Sequence, residues 1–333
     1  MLPGGVPGNC CLREKVMKKA LKVIGKGLLG IVAVLVVFLI GTCVYDKICL
    51  ASEKDLLVNQ IYGQKVEVSG HEMSIYVSGS GEHTLVFMAG SGDSAPIIGY
   101  KNFIDRFDED YRVVVIEKFG YGFSDAFDGS RDVETRVAQN REALKKAGIE
   151  GPYILCPHSY SGLETVYWAQ NFPEEVEAIV GLDMAVPAAY DMMDEKHIDS
   201  ESSVYFWSRA ARCAGIVRLI AGATIPEGYS DMEVKSAMAL VCSSFSNETF
   251  ANECKYIIHD RTVIESRAMP DVPTLLIVSD GTVDEGWIGF ENNYAAQITD
   301  VTTVQLDCGH SVYINEPDKC EDAMRSFLAG LVD

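Results

Sequence analysis

The sequence predicts an α/β protein built on a mostly parallel, eight-stranded sheet with helices on both faces. Three observations predict it. Short apolar runs of strand length alternate with longer stretches of helical periodicity. Most of those runs are nearly continuous in Val, Ile and Leu, as strands buried on both faces must be. The chain's 333 residues are enough to bury a sizeable core.

The elements follow in chain order. Residues 1–26 form a basic segment holding Arg13, Lys15, Lys18, Lys19, Lys22 and Lys26. Residues 27–45, GLLGIVAVLVVFLIGTCVY, carry no charge. At ~1.5 Å per residue they reach about 28 Å, the thickness of a hydrocarbon core. The basic residues precede this run, so the expected arrangement is a single-pass anchor in the cell membrane, with the N-terminus cytoplasmic and the rest of the chain exported. A cleaved signal peptide is the alternative; the apolar run is long for one, and no A-x-A site follows. Residues 46–64 read as a partly helical linker.

The first part of the core occupies residues 65–185. KVEVSG and MSIYVSG alternate and flank Gly70-His71-Glu72, which predicts an antiparallel hairpin. TLVFMAG, YRVVVIE, YILC and VEAIVGLD then read as strands, with helices near 97–107, near 131–147 and from Ser159 to Pro173. Residues 186–268 break the rhythm with several helical stretches and no strand, and so predict a cap inserted after the sixth strand. Tyr205, Phe206, Trp207, Met192, Met193 and Met238 in this cap either line a pocket or pack its helices together. PTLLIVS and VTTVQLD complete the sheet within residues 269–333, with helices near 287–297 and 317–330.

Charge and composition exclude several functions. Residues 1–50 carry a net +5 against −20 for the whole chain, which leaves −25 on the remainder. So acidic a body repels phosphate backbones, and no nucleic-acid partner is expected. The ten cysteines form no C-x-x-C pair and the six histidines no H-E-x-x-H pattern, so neither a metal nor another cofactor is expected. Cys213, Cys242 and Cys254 are near enough in sequence for one disulfide, or else stand as buried thiols.

Four segments carry chemistry, because ligands of such sheets gather at the carboxyl ends of the strands. CPHSYSG has the small-x-Ser-x-small form of a nucleophile elbow centred on Ser159, with Pro157 where glycine is usual. His310 lies in the loop after the last strand, where a general base reaches over the sheet edge. The glycine-rich FMAGSGDSAP follows the first buried strand, and the amides of Ser91 and Tyr160 are the expected oxyanion donors. The acid that orients His310 is ambiguous. Asp280, directly after LLIVS, is the expected residue; Asp284 in the same loop and Asp183, ending GLD, are alternatives. His158 is expected to point away from the pocket, and Glu164 in the elbow helix has no evident role.

Together these segments resemble the α/β-hydrolase family over about residues 60–331. EKFGYGFSD resembles the family's D-R-P-G-Y-G-x-S loop, with Glu117, Lys118 and Phe119 at its first three positions. HSYSGLETVYWAQNFPEEVEAIVGLD resembles the elbow, its helix and the next strand; DCGHSVYINEPDK resembles the histidine loop; MAGSG resembles the oxyanion segment, with Ala89 in place of histidine. The resemblance implies Ser159 as nucleophile, His310 as base, and Ser91 and Tyr160 as oxyanion donors. Family members that open epoxides or remove halides use aspartate at the elbow, so serine implies an acyl-enzyme and a small-molecule ester or amide substrate. The competing expectation is a catalytically weak or inactive ligand receptor that keeps the same pocket.

Overall fold

The computed structural model describes residues 8–331. Its centre is one sheet of eight strands: β1 (Gln64–Val68), β2 (His71–Ser78), β3 (Thr84–Met88), β4 (Arg112–Glu117), β5 (Tyr153–Ser159), β6 (Val176–Met184), β7 (Thr274–Val278) and β8 (Val301–Gln305). Their spatial order is β1-β2-β4-β3-β5-β6-β7-β8. β2 is antiparallel to both β1 and β4, and every other pairing is parallel. These are the eight runs expected from the sequence.

Burial explains the apolar runs. Each residue of β3 and of β7 is buried, and successive side chains enter opposite layers. Val86 and Met88 join the core formed with the helices Val133–Lys146, Ser161–Asn171 and Trp287–Ala295. Leu85 and Phe87 join the core on the other face, with Pro96–Ile104 and Pro317–Leu331. Each such side chain contributes about 1.5–3 kcal/mol by leaving water. β8 has no fully buried residue, as its threonines and its place at the sheet edge require.

Between β6 and β7 the described chain is entirely helical or irregular. It holds the helices Glu195–Cys213, Val217–Ala221, Asp231–Ser244, Glu248–Cys254 and Ile257–Glu265. Local capping fixes their starts: Ser230 and Glu233 form a reciprocal box, and the Asn247 side chain accepts from Thr249 and Phe250 N–H.

At the N-terminus one helix runs continuously from Gly8 to Ser52. Its stretch Val16–Ser52 contains a window of mean hydropathy 2.8 and is long and apolar enough to cross a membrane. Residues 46–52, expected to belong to a linker, extend this helix beyond the apolar run, and a short helix Lys54–Val58 follows. All eight described cysteines, Cys213, Cys242 and Cys254 among them, are free thiols.

Candidate active site

The site begins with a backbone constraint. Ser159 ends β5 at φ +52°, a left-handed conformation that non-glycine residues seldom adopt. The β5–β6 register shifts between His158 and Ser159, so the ladder breaks where the chain reverses into the helix Ser161–Asn171. Two glycines permit this. A side chain at Gly162 would overlap the Ala185 carbonyl oxygen, and one at Gly90 would sit 2.8 Å from Ser159 Cβ and 2.9 Å from His158 Nδ1. Ser161 Oγ donates to the Ala89 carbonyl, which binds the elbow to the loop carrying Ser91. Pro157 is accommodated within β5, opposite Met88 of β3.

His310 and Asp183 meet from distant parts of the chain. His310 Nδ1 lies 2.6 Å from Asp183 Oδ2. Asp183, near the end of β6, is buried and has φ +51°. Its other oxygen accepts from Ser279 N–H at 2.7 Å and Trp287 Nε1–H at 2.8 Å. Burial alone would push this carboxyl up. The bonds from His310, Ser279 and Trp287 outweigh it and hold the group below its ordinary value. An ionised carboxylate on Nδ1 keeps the proton there and leaves Nε2 as the free ring nitrogen.

Asp280, the expected partner of His310, is placed otherwise. It begins the loop after β7, and its side chain turns back to accept from Thr282 N–H at 3.0 Å and Thr282 Oγ1 at 2.7 Å. That local turn satisfies the carboxylate and removes it from the imidazole. Asp284 accepts from Gly286 N–H at 2.7 Å.

His158 also differs from expectation. It does not point away: its ring lies 4.6 Å from that of His310 and 5.4 Å from that of Tyr313, and its Nε2 is 3.3 Å from the His310 carbonyl. Burial, with the neighbouring His310, lowers its pKa to about 3, so it stays neutral and serves as a wall for the histidine loop. Among the described residues, Ser159 Oγ forms no hydrogen bond.

Beneath the elbow lies an ion network that sequence patterns did not reveal. Glu164 accepts from Lys118 Nζ at 2.8 Å, Arg136 Nε at 3.0 Å and Asn140 Nδ2 at 3.0 Å. Arg136 also holds Asp260 at 2.9 Å, and Arg131 holds Glu253 at 2.7 Å, so the core is pinned to two cap helices. Tyr160 and Tyr121 hydroxyls complete it by donating to Asp260 and Glu253. All six charged groups are buried. Lys118 in the loop motif and Glu164 in the elbow helix were each visible as an oddity in the sequence; they are the two halves of one ion pair.

Two cavities meet at the elbow. One, of about 520 Å³, is lined by Tyr190, Met192, Met193, Tyr205 and Trp287; the other, of about 490 Å³, by Ile98, Tyr229, Phe245, His310 and Tyr313. Ser91 and Ser159 line both. Of the cap residues singled out in the sequence, Phe206 and Trp207 instead face outward, and Met238 packs within the cap. Glu134, His259 and Asp260 are mutually close, but Asp260 is already committed to Arg136, Val133 N–H and Tyr160, so nothing marks a metal centre there.

No family model matches the chain. It is 29% identical over 328 residues to Uncharacterized protein YbdG of Bacillus subtilis (strain 168), covering 94% of this chain and 98% of that one. Among solved structures it is similar to the Cif epoxide hydrolase from Acinetobacter nosocomialis, with TM-score 0.66 and 14% identity over 86% of this chain and 96% of that one. It is also similar to a thermophilic esterase from Thermogutta terrifontis, with TM-score 0.63 and 16% identity over 81% of this chain and 99% of that one.

Proposed function

Because the chain has the α/β-hydrolase fold, we propose that it is a membrane-anchored serine hydrolase cleaving a carboxylic ester, or an amide, through an acyl-enzyme on Ser159. The observation that carries this reading is the 2.6 Å bond from His310 Nδ1 to a buried, ionised Asp183, beside a strained Ser159 on a shared cavity wall. Asp183 takes the orienting role first assigned to Asp280.

In this mechanism His310 Nε2 removes the Ser159 proton as Oγ attacks the substrate carbonyl carbon. The amides of Ser91 and Tyr160 receive the oxyanion; losing one such donor typically costs roughly 3 kcal/mol of transition-state stabilisation. His310 returns the proton to the departing alkoxide or amine. Water, deprotonated by the same nitrogen, then attacks the acyl carbon and releases Ser159. Two apolar-walled chambers meeting at the nucleophile favour a substrate with a sizeable group on each side of the scissile bond. An elbow serine favours ester or amide cleavage over epoxide opening.

Residues 27–45 are the proposed span, with the basic segment on the cytoplasmic side and the hydrolase body outside. A weakly active receptor is the second reading, motivated by the unbonded Ser159 Oγ; free enzymes often tighten such bonds only with substrate present. Fluorophosphonate labelling tests the nucleophile. Labelling of the native chain that disappears in Ser159→Ala is expected, and undiminished labelling of the variant would refute the assignment. Steady-state turnover across a p-nitrophenyl ester panel separates enzyme from receptor.

A further inference from the structure

The N-terminal helix is jointed to the cap before it leaves its own apolar run. Thr42 Oγ1 donates to the Ala214 carbonyl at 2.7 Å. One turn later, buried Asp46 accepts from Arg218 Nε at 2.7 Å, and the terminal nitrogens of Arg218 hold Glu53 at 2.9 and 2.8 Å. Leu50 packs with Val217, Ala221 and Cys242 beside this joint. A guanidinium shared by two carboxylates, nearly excluded from water, makes a fixed attachment.

The attachment sets the height of the cap. A helix advances ~1.5 Å per residue, so Thr42 and Asp46 lie within roughly 5 Å of the end of the apolar run at Tyr45. Residues 214–220 therefore lie at the edge of whatever surrounds that run. This part of the cap presents Leu219 and Ile220 to the outside, 52% and 60% exposed. The neighbouring helix Glu195–Cys213 presents Val204, Phe206 and Trp207, the last 69% exposed. Phe206 and Trp207 pack edge-on against one another, with centroids 5.3 Å apart.

We infer that this face of the cap docks on the bilayer surface, with Leu219 and Ile220 entering the acyl boundary and Trp207 at headgroup level. The inference rests on the reading of residues 27–45 as a membrane span. Continuity with that span names the occupant, since Thr42 in the last apolar turn bonds Ala214 directly. The body's net −25 favours a zwitterionic surface over an anionic one. Tyr205, next to Phe206, lines the first cavity. The docked helix thus separates lipid from the site by its own thickness, which suits substrates that partition into membranes.

The test uses the three tryptophans. Trp168 and Trp287 are buried, leaving Trp207 as the exposed reporter. The full chain is reconstituted into phosphatidylcholine vesicles with or without brominated acyl chains. Interfacial side chains sit about 5–10 Å into the headgroup boundary, so brominated acyl chains should quench the Trp207 emission. Trp207→Phe should abolish that quenching, and Leu219→Asp with Ile220→Asp should weaken it while the chain still resists alkaline carbonate extraction. Equal Trp207 emission from both vesicle types, in a carbonate-resistant protein, overturns the docking and leaves the anchor standing. Release by carbonate removes the anchor and the docking together. Neither result bears on fluorophosphonate labelling of Ser159.

Discussion

Asp183 reaches His310 because its backbone adopts a left-handed turn that aspartate tolerates better than most residues. Its carboxylate is then held from three directions, by Ser279, Trp287 and His310. Asp183→Asn should lower kcat by roughly 10³–10⁴-fold, the range for losing the residue that fixes the base's tautomer. Asp280→Asn should stay within about twofold, since that side chain serves only its own loop. Comparable losses in both variants, measured on one ester, would contradict this assignment. The sequence made both carboxylates eligible because both stand at the ends of strands on the same sheet edge. What distinguishes them is where each side chain turns, and that depends on contacts about a hundred positions away. The strand-to-helix turn at Ser159 and the loop carrying His310 were legible because each is a local motif. His158 was misjudged for the reverse reason: alternation sets it on the face of Ile154 and Cys156, and the distant histidine loop folds over that face to bring His310 and Tyr313 against it.

The elbow is a close approach of three elements, and its tolerance for extra atoms is small. Gly162→Ala should destabilise the chain by about 1–3 kcal/mol, as overpacking does, visible as a lower unfolding midpoint in detergent. Glu164 tests a different strength. It neutralises Lys118 and shares Arg136 with Asp260 in a fully buried site, and Glu164→Gln should cost about 3–5 kcal/mol by leaving Lys118 uncompensated. A near-neutral result would mean that water or another anion reaches the network. Strands and helices were readable because period-two and 3.6-residue patterns encode burial directly. The end of the N-terminal helix was not, since apolar composition stops at Tyr45 while hydrogen bonding and the Arg218 joint carry the helix on to Ser52.

Charge acts on the whole molecule through buried carboxyls. Glu117, between the N–H groups of Ile97 and Phe123, is pushed up to about 7, chiefly by burial. Glu291 is raised well above its ordinary value, first by burial and then by nearby Asp183. Neither of its oxygens is hydrogen-bonded among the described residues. The unfolded chain releases these protons near pH ~4.3, whereas the folded chain retains them. The contributions of Glu117 and Glu291 to unfolding free energy should therefore fall as pH rises above that value, with Glu117's share of the decline complete once pH passes about 7. His158, neutral in the fold and protonated below about pH 6.5 when unfolded, adds a smaller change of opposite sign up to that pH. The unfolding midpoint should be higher at pH 5 than at pH 8. Glu291→Leu should flatten this slope and add about 1–3 kcal/mol near neutrality by removing an unpartnered polar group. A slope parallel to that of the unmodified chain would rule out Glu291 as its source.

The Arg218 joint has one more consequence. The helices Glu195–Cys213 and Val217–Ala221 go with the N-terminal helix, whereas Glu248–Cys254 and Ile257–Glu265 go with the sheet through Arg131 and Arg136. The lid thus has two owners, and the first chamber is walled by both, with Tyr205 from one and Ile257 from the other. That seam is itself bridged, by Arg209 to Glu248 at 2.5 Å and by Ser246 Oγ donating to the Tyr205 carbonyl at 3.0 Å, so a tilt of the N-terminal helix would reach the chamber wall through these two contacts.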